Sequence, residues 1–351
     1  MAVSTNKLRG SRWRRLCGLD HPWRMPVLLR RSLVTLGILI ALGVSGGLAY
    51  WLARPRPIPV TIETTDFPIS APLLVAQRFG DFAACGLAVE LHLHATGKQA
   101  LAVALASPGG YATATETPLM YAACAGQDFA ILATIGETGD GLRILARRDA
   151  GILVAADLAQ RRVAARAGTN AEFYLRSYLH FEGIDPATVT IEDLAPEVAI
   201  ERLIAGTIAA ACLWDPHLRR AHAALPGALS ELHEPALYRF TWNLVRTGPA
   251  SNPDTERRLL DALARASRRI DADPAVRAWL GERFALAAHE RDELLQQFLF
   301  RPRLTHGLVL AMEDEARLLN GADVAQTIDF TRFIDPAALL AVDANAVRLV
   351  R

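Results

Sequence analysis

Side chains suited to holding a small solute cluster in a few short stretches. "GTN" at 168–170 sets Thr169 and Asn170 ahead of Phe173, Tyr174, Ser177 and Tyr178, which repeat at helical spacing. "TATETP" at 113–118 carries Thr113, Glu116 and Thr117 before another apolar run, and Ser70 stands directly before "APLLVAQRFG". A hydroxyl or amide at such a start can cap the helix and do no more. It can also face a ligand beside the free N–H donors, whose partial positive charge is worth about 0.3–1 kcal/mol to an anion. Carboxylates crowd the same region: Asp66, Glu116, Glu137 beside Thr138, and Asp215. These would suit a cationic or amide-rich ligand instead, and any that is buried needs a donor partner. Trp214, Phe67 and Trp242 offer stacking walls for a flat or apolar group. The residue types leave the ligand's charge open, while the three helix starts at Ser70, Thr117 and Thr169 favour an anionic or zwitterionic solute.

Chemistry beyond binding is sparse. His92 and His94 in "ELHLHA" share one face of a strand, but no third metal ligand is nearby in sequence. There is no glycine-rich nucleotide loop, no G-x-S-x-G and no paired-carboxylate signature. The expectation is a binding protein with no catalytic residue, cofactor or metal. The four cysteines show no metal spacing. Cys85, Cys124 and Cys212 can be free buried thiols, or two of them can pair in an oxidising compartment.

The elements that must position these groups alternate. "PVTIETT", "LAVELHL", "GGYATATETP", "FAILATI" and "GLRILAR" read as strands, with helical "APLLVAQRFG", "KQALAVALAS" and "PLMYAACAG" between the earlier ones. A second alternating block follows: strand "LAQRRVAAR", the helix after "GTN", strand "ATVTIEDL", helix "PEVAIERLIAG" and strand "IAAACLW". "YRFTWNLVRT" returns as a strand, and the remainder is mostly helical. The pattern predicts α/β sheets with parallel strands in two lobes, 54–147 plus 238–351 and 148–237, with a cleft outside the strand ends.

The N-terminus carries a separate signal. Residues 32–53, "SLVTLGILIALGVSGGLAYWLA", hold no charge over 22 positions, long enough to cross a bilayer core of roughly 30 Å. The leader 1–31 has eight basic residues against Asp20 alone, which predicts a cytoplasmic N-terminus and an exported body. The segment can be a transmembrane anchor or a cleaved signal, with Gly47-Leu48-Ala49 as the small-residue site. Residues 32–351 hold 30 basic and 36 acidic residues, so the body offers no case for nucleic-acid binding.

"APLLVAQRFGDF", "ATETPLMYAACAGQDFAILATIGET", "LAQRRVAARAGTNAEFYLRSYLHFEGI" and "AIERLIAGTIAAACLWDPHL" together resemble the extracytoplasmic solute-binding proteins of ABC importers. More narrowly they are similar to the NMT1-like branch that includes nitrate, sulfonate, taurine and thiamine-pyrimidine binders. The resemblance covers about 58–285, and weakly the C-terminal "FTRFIDPAALLAVDANAVRLV". It implies a two-lobed type II periplasmic-binding fold, a small-molecule solute in the interlobe cleft, and ABC permease and ATPase partners. The expected protein is a monomer, single-pass in the inner membrane, with its body on the periplasmic side. A sensor of the same fold signalling to a membrane partner, and a pyrimidine-related enzyme on that fold, are the alternatives.

Overall fold

The chain runs from "RPRPIP" into β1 (Ile58–Thr65), where Val60, Ile62 and Thr64 alternate into the core. This computed structural model describes residues 56–349, apart from 236, 250–251, 322 and 324–326. The basic leader and the expected membrane segment lie outside the described residues. Among the described residues no helix is long and apolar enough to cross a membrane.

Two five-stranded sheets carry the fold. The first has the order β2-β1-β3-β10-β4, with β2 (Leu87–His94), β3 (Tyr111–Ala114), β4 (Phe129–Thr138) and β10 (Phe240–Thr247). The second has the order β7-β6-β8-β5-β9, from β5 (Leu142–Arg147), β6 (Arg162–Ala165), β7 (Thr190–Asp193), β8 (Ala210–Trp214) and β9 (Leu229–Leu232). Helices α1 (Ala71–Arg78), α2 (Asp81–Ala84), α3 (Gly97–Ala106) and α4 (Glu116–Cys124) belong with the first sheet; α5 (Asn170–Phe181), α6 (Pro196–Ile204) and α7 (His217–Ala224) belong with the second. Then follow α8 (Pro253–Ala272), α9 (Pro274–Arg283), α10 (Ala288–Gln296), α11 (His306–Asn320) and α12 (Ala337–Val342). Helix α8 lies against α1, α2 and α12, while α11 lies against α4 and α5.

Two expectations change here. The sheets are mixed rather than parallel: β10 is antiparallel to β3 and β4, and β5 is antiparallel to β8 and β9. The first crossing between sheets falls at 139–141, because Leu142–Arg147 pairs in the second sheet; the sequence had placed it near 147. One cause explains both. The chain leaves β4 at its carboxyl end and starts β5 after three intervening residues, so β5 runs away from the crossing while its neighbours β8 and β9 run toward it. The return into β10 repeats this at Phe240.

A continuous apolar core runs through both sheets, including Ile62, Ile131 and Leu244 in the first and Ile144 and Val163 in the second. A smaller cluster around Leu145, Leu203 and Leu213 fills the far side of the second. Within the first sheet, Arg246 on β10 is buried with Glu256 of α8, Nη1 to Oε1 2.6 Å, and reaches Asp335 at 3.3 Å.

Candidate functional site

A cavity of about 390 Å³ opens where the two sheets' strand ends and crossings meet. Its wall follows from the topology: parallel strands end there, so the helices after them start there. Thr96 caps α3, its Oγ1 accepting from Gln99 N at 3.1 Å, and leaves Gly97 and Lys98 on the wall. Gly97 is needed for space, since a Cβ would come within 2.6 Å of the Trp242 ring. Thr169 caps α5, accepting from Ala171 N at 3.3 Å and donating to Arg166 O at 2.7 Å. Gly168 before it has φ +67°, a turn that brings the Ala167 carbonyl to Lys98 Nζ at 2.7 Å. That bond joins the two halves across the cavity edge.

Three buried wall residues hold unspent polar groups, Trp242 being one through its indole N–H, which has no partner among the described residues. Thr115, at the N-cap of α4, makes no side-chain capping bond, and Asn170 opens α5; each is 7% exposed. Neither the Thr115 nor the Asn170 side chain has a partner among the described residues, and the polar atoms of both keep some accessible surface on the cavity wall. Of the charged wall residues other than Lys98, Glu293 is exposed and makes no bond among the described residues, and the rest are paired. Arg143 pairs with Asp140 at 3.0 Å and Glu231 at 3.4 Å, Arg219 with Asp215 at 3.0 Å, and His222 with Glu231 at 2.8 Å. Lys98 donates to a neutral carbonyl and makes no ion pair within 4 Å among the described residues, though its charge helps to lower the nearby Asp193 carboxyl. Phe67, Trp214, Phe240, Trp242 and Phe298 supply the apolar wall. Phe67 and Trp214 both meet the buried His217 ring edge-on, at 5.7 and 5.3 Å. Burial pushes the His217 imidazole down to about 4, so it is neutral at pH 7.

Of the residues singled out in the sequence, Phe67, Thr169, Asn170, Trp214, Asp215 and Trp242 line this cavity. The other six do not, because each is bonded inside its own half. Ser70 Oγ meets Thr65 Oγ1 at 3.0 Å, and Thr113 meets Thr64 at 2.7 Å. Glu137 pairs with Arg239 at 3.1 Å and with Arg303, and Thr138 accepts from Asp140 N at 3.1 Å. Helix α4 starts at Glu116, not at Pro118, so Thr115 takes the cavity-facing cap and Glu116 and Thr117 turn inward. Of the wall residues the sequence left out, Thr96-Gly97-Lys98 had a signal, a cap, a glycine and a lysine after a strand. Thr115 was hidden by the two-residue shift. Phe298 comes from the chain after α10, where nothing local points to a cleft.

His92 and His94 both meet Glu63 of the neighbouring strand, His92 Nδ1 at 3.0 Å from Oε1. Cys85, Cys124 and Cys212 are free thiols.

Behind Thr115 lies a buried acid pair. Tyr238 donates its hydroxyl proton to Glu116 Oε1, and the Tyr238 hydroxyl oxygen also lies 2.9 Å from Glu315 Oε1. Thr241 donates to Glu116 Oε2 through its N–H and its hydroxyl, both at 2.8 Å, and Thr117 donates to Glu315 Oε1 at 3.0 Å. Burial raises both carboxyl groups; Glu315 lies well above the usual range, with the Glu116 charge as the next cause. One phenolic proton serves one carboxylate, so Glu315 keeps its own. Its contribution to stability is complete below the unfolded value of about 4.3 and is lost as pH rises through the higher folded value. The expected result is a wild-type urea midpoint that falls relative to Glu315→Gln as pH rises from 4 to 9. Parallel curves would mean that Glu315 ionises in the fold as it does in the unfolded chain.

Residues 55–284 match the model of the NMT1-like family, more than half of the chain. The chain belongs to the NMT1-like family. No curated protein sequence matches it. Among solved structures, this NMT1-like chain is similar to the alkanesulfonate-binding protein SsuA from Xanthomonas axonopodis pv. citri bound to MOPS. The two are 18% identical with a TM-score of 0.64, covering 84% of this chain and 100% of that one. The periplasmic nitrate-binding protein NrtA from Synechocystis PCC 6803 is 15% identical with a TM-score of 0.61, covering 80% and 88%. At these identities the likeness is one of fold, and it makes the two-sheet architecture of this NMT1-like chain a periplasmic-binding-protein fold. The family resemblance read from the sequence is borne out.

Proposed function

We propose that this chain captures a small anionic or zwitterionic solute in its cleft and delivers it to the permease and ATPase of an ABC importer, without chemistry of its own. The observation that carries this is the meeting of Lys98, Thr115 and Asn170. Two buried residues whose polar side chains have no partner among the described residues, on helix starts from opposite halves, line the same cavity as a cation that makes no ion pair within 4 Å. Such helix starts are suited to an acid group. The similar structures named for alkanesulfonate and nitrate binding support a sulfonate-, nitrate- or taurine-like solute. Solute at 100 times its dissociation constant should add about 2.7 kcal/mol of stability, a melting shift of roughly 5–10 °C. A thermal-shift panel of sulfonates, nitrate, taurine, pyrimidines, amino acids and polyamines reads this directly. A shift with polyamines alone would count against it.

The uncharged stretch at 32–53 and its basic leader support a monomer anchored by one helix in the inner membrane, with the body in the periplasm. A reporter fused after Arg351 should then be active only outside the cytoplasm, on a chain retained whole in the membrane fraction. A fragment released from near residue 50 would indicate cleavage instead.

A further inference from the structure

We propose that the solute is a ring-bearing organic acid with a single negative charge, held by its acid group at Lys98, Thr115 and Asn170 and by its ring between Phe67 and Trp214. This rests on the cleft reading above and narrows it.

Charge sets the first limit. Arg143, Arg219 and His222 each have a carboxylate partner within 4 Å, and Lys98 alone among the cavity's basic groups does not, its charge reaching Asp193 only at longer range. A second negative charge on the solute would lie against Asp140, Asp215 or Glu231, which also line the cavity. One acid group fits and two do not.

Size sets the second limit. A four-atom oxyanion such as nitrate fills about 60 Å³, roughly two water volumes, and leaves most of a 390 Å³ cavity unfilled. Cavities of this size with mostly apolar walls suit larger organic ligands.

The wall decides what fills the remainder. Phe67 comes from the first half and Trp214 from the second, and both rest on one buried ring, His217. Their orientation is therefore fixed before a ligand arrives, which removes an ordering cost and favours a flat partner.

The test is titration calorimetry on the full-length protein with benzenesulfonate, methanesulfonate, nitrate and 1,3-benzenedisulfonate. Benzenesulfonate should bind at least tenfold more tightly than methanesulfonate or nitrate, and the disulfonate no more tightly than benzenesulfonate. Trp214→Ala should weaken benzenesulfonate at least tenfold and methanesulfonate less than threefold. Phe67→Leu, which keeps bulk and removes the ring, should show the same split if Trp214→Ala does not fold. Methanesulfonate or nitrate binding as tightly as benzenesulfonate, a disulfonate that binds tightest, or ring substitutions that weaken all acids alike overturns this inference and leaves the cleft reading standing. Failure of all four acids to bind overturns this inference, and the cleft reading falls with it only if taurine and the amino acids of the thermal-shift panel also leave the melting point unmoved.

Discussion

Arg246→Ala should lower stability by about 3–5 kcal/mol, the loss typical of breaking one side of a buried ion pair. Arg246 is 7% exposed and Glu256 4% exposed, so the truncation strands the Glu256 carboxylate in the core and leaves Asp335 without one of its donors. The site is also mechanically central. β10 lies between β3 and β4 and carries Phe240 and Trp242 to the cavity wall. Urea unfolding of the variant should show the full loss, and the double change Arg246→Met with Glu256→Leu should recover most of it. A single-variant cost below about 1 kcal/mol would mean that water reaches the pair.

The second large effect concerns binding. Lys98→Met should weaken an anionic solute about 10–100-fold, the worth of a charge-assisted hydrogen bond of about 1.5–3 kcal/mol. Folding should change far less, because the only bond lost is the one to the Ala167 carbonyl. Calorimetry alongside a melting curve separates the two. Equal affinity in the variant would place the acid group elsewhere in the cavity.

Much of this architecture was legible in the sequence, for a physical reason. Alternation over β1, strand-length apolar runs at β4 and β10 and the capped helix start at Thr169 are local signals, and the structure keeps them. What was lost depends on direction and rotation. Strand order in sequence does not say which way β5 and β10 run, because that follows from where the chain crosses between sheets. A two-residue error at the start of α4 turned Glu116 and Thr117 from core residues into apparent wall residues. Carboxylates at strand ends, such as Glu137, looked available because their partners Arg239 and Arg303 come from distant parts of the chain.

The proton shared out around Tyr238 also changes how the molecule behaves as an electrolyte. Counting side chains gives 38 basic against 37 acidic residues, a formal +1. Burial raises the Glu315 carboxyl well above the usual range, so wherever it holds its proton the native chain carries one negative charge fewer than that count. Unfolding exposes that carboxyl to water and returns the missing charge. This one glutamate, which solvent never touches, therefore pushes the isoelectric point of the native chain upward relative to the same polypeptide in urea.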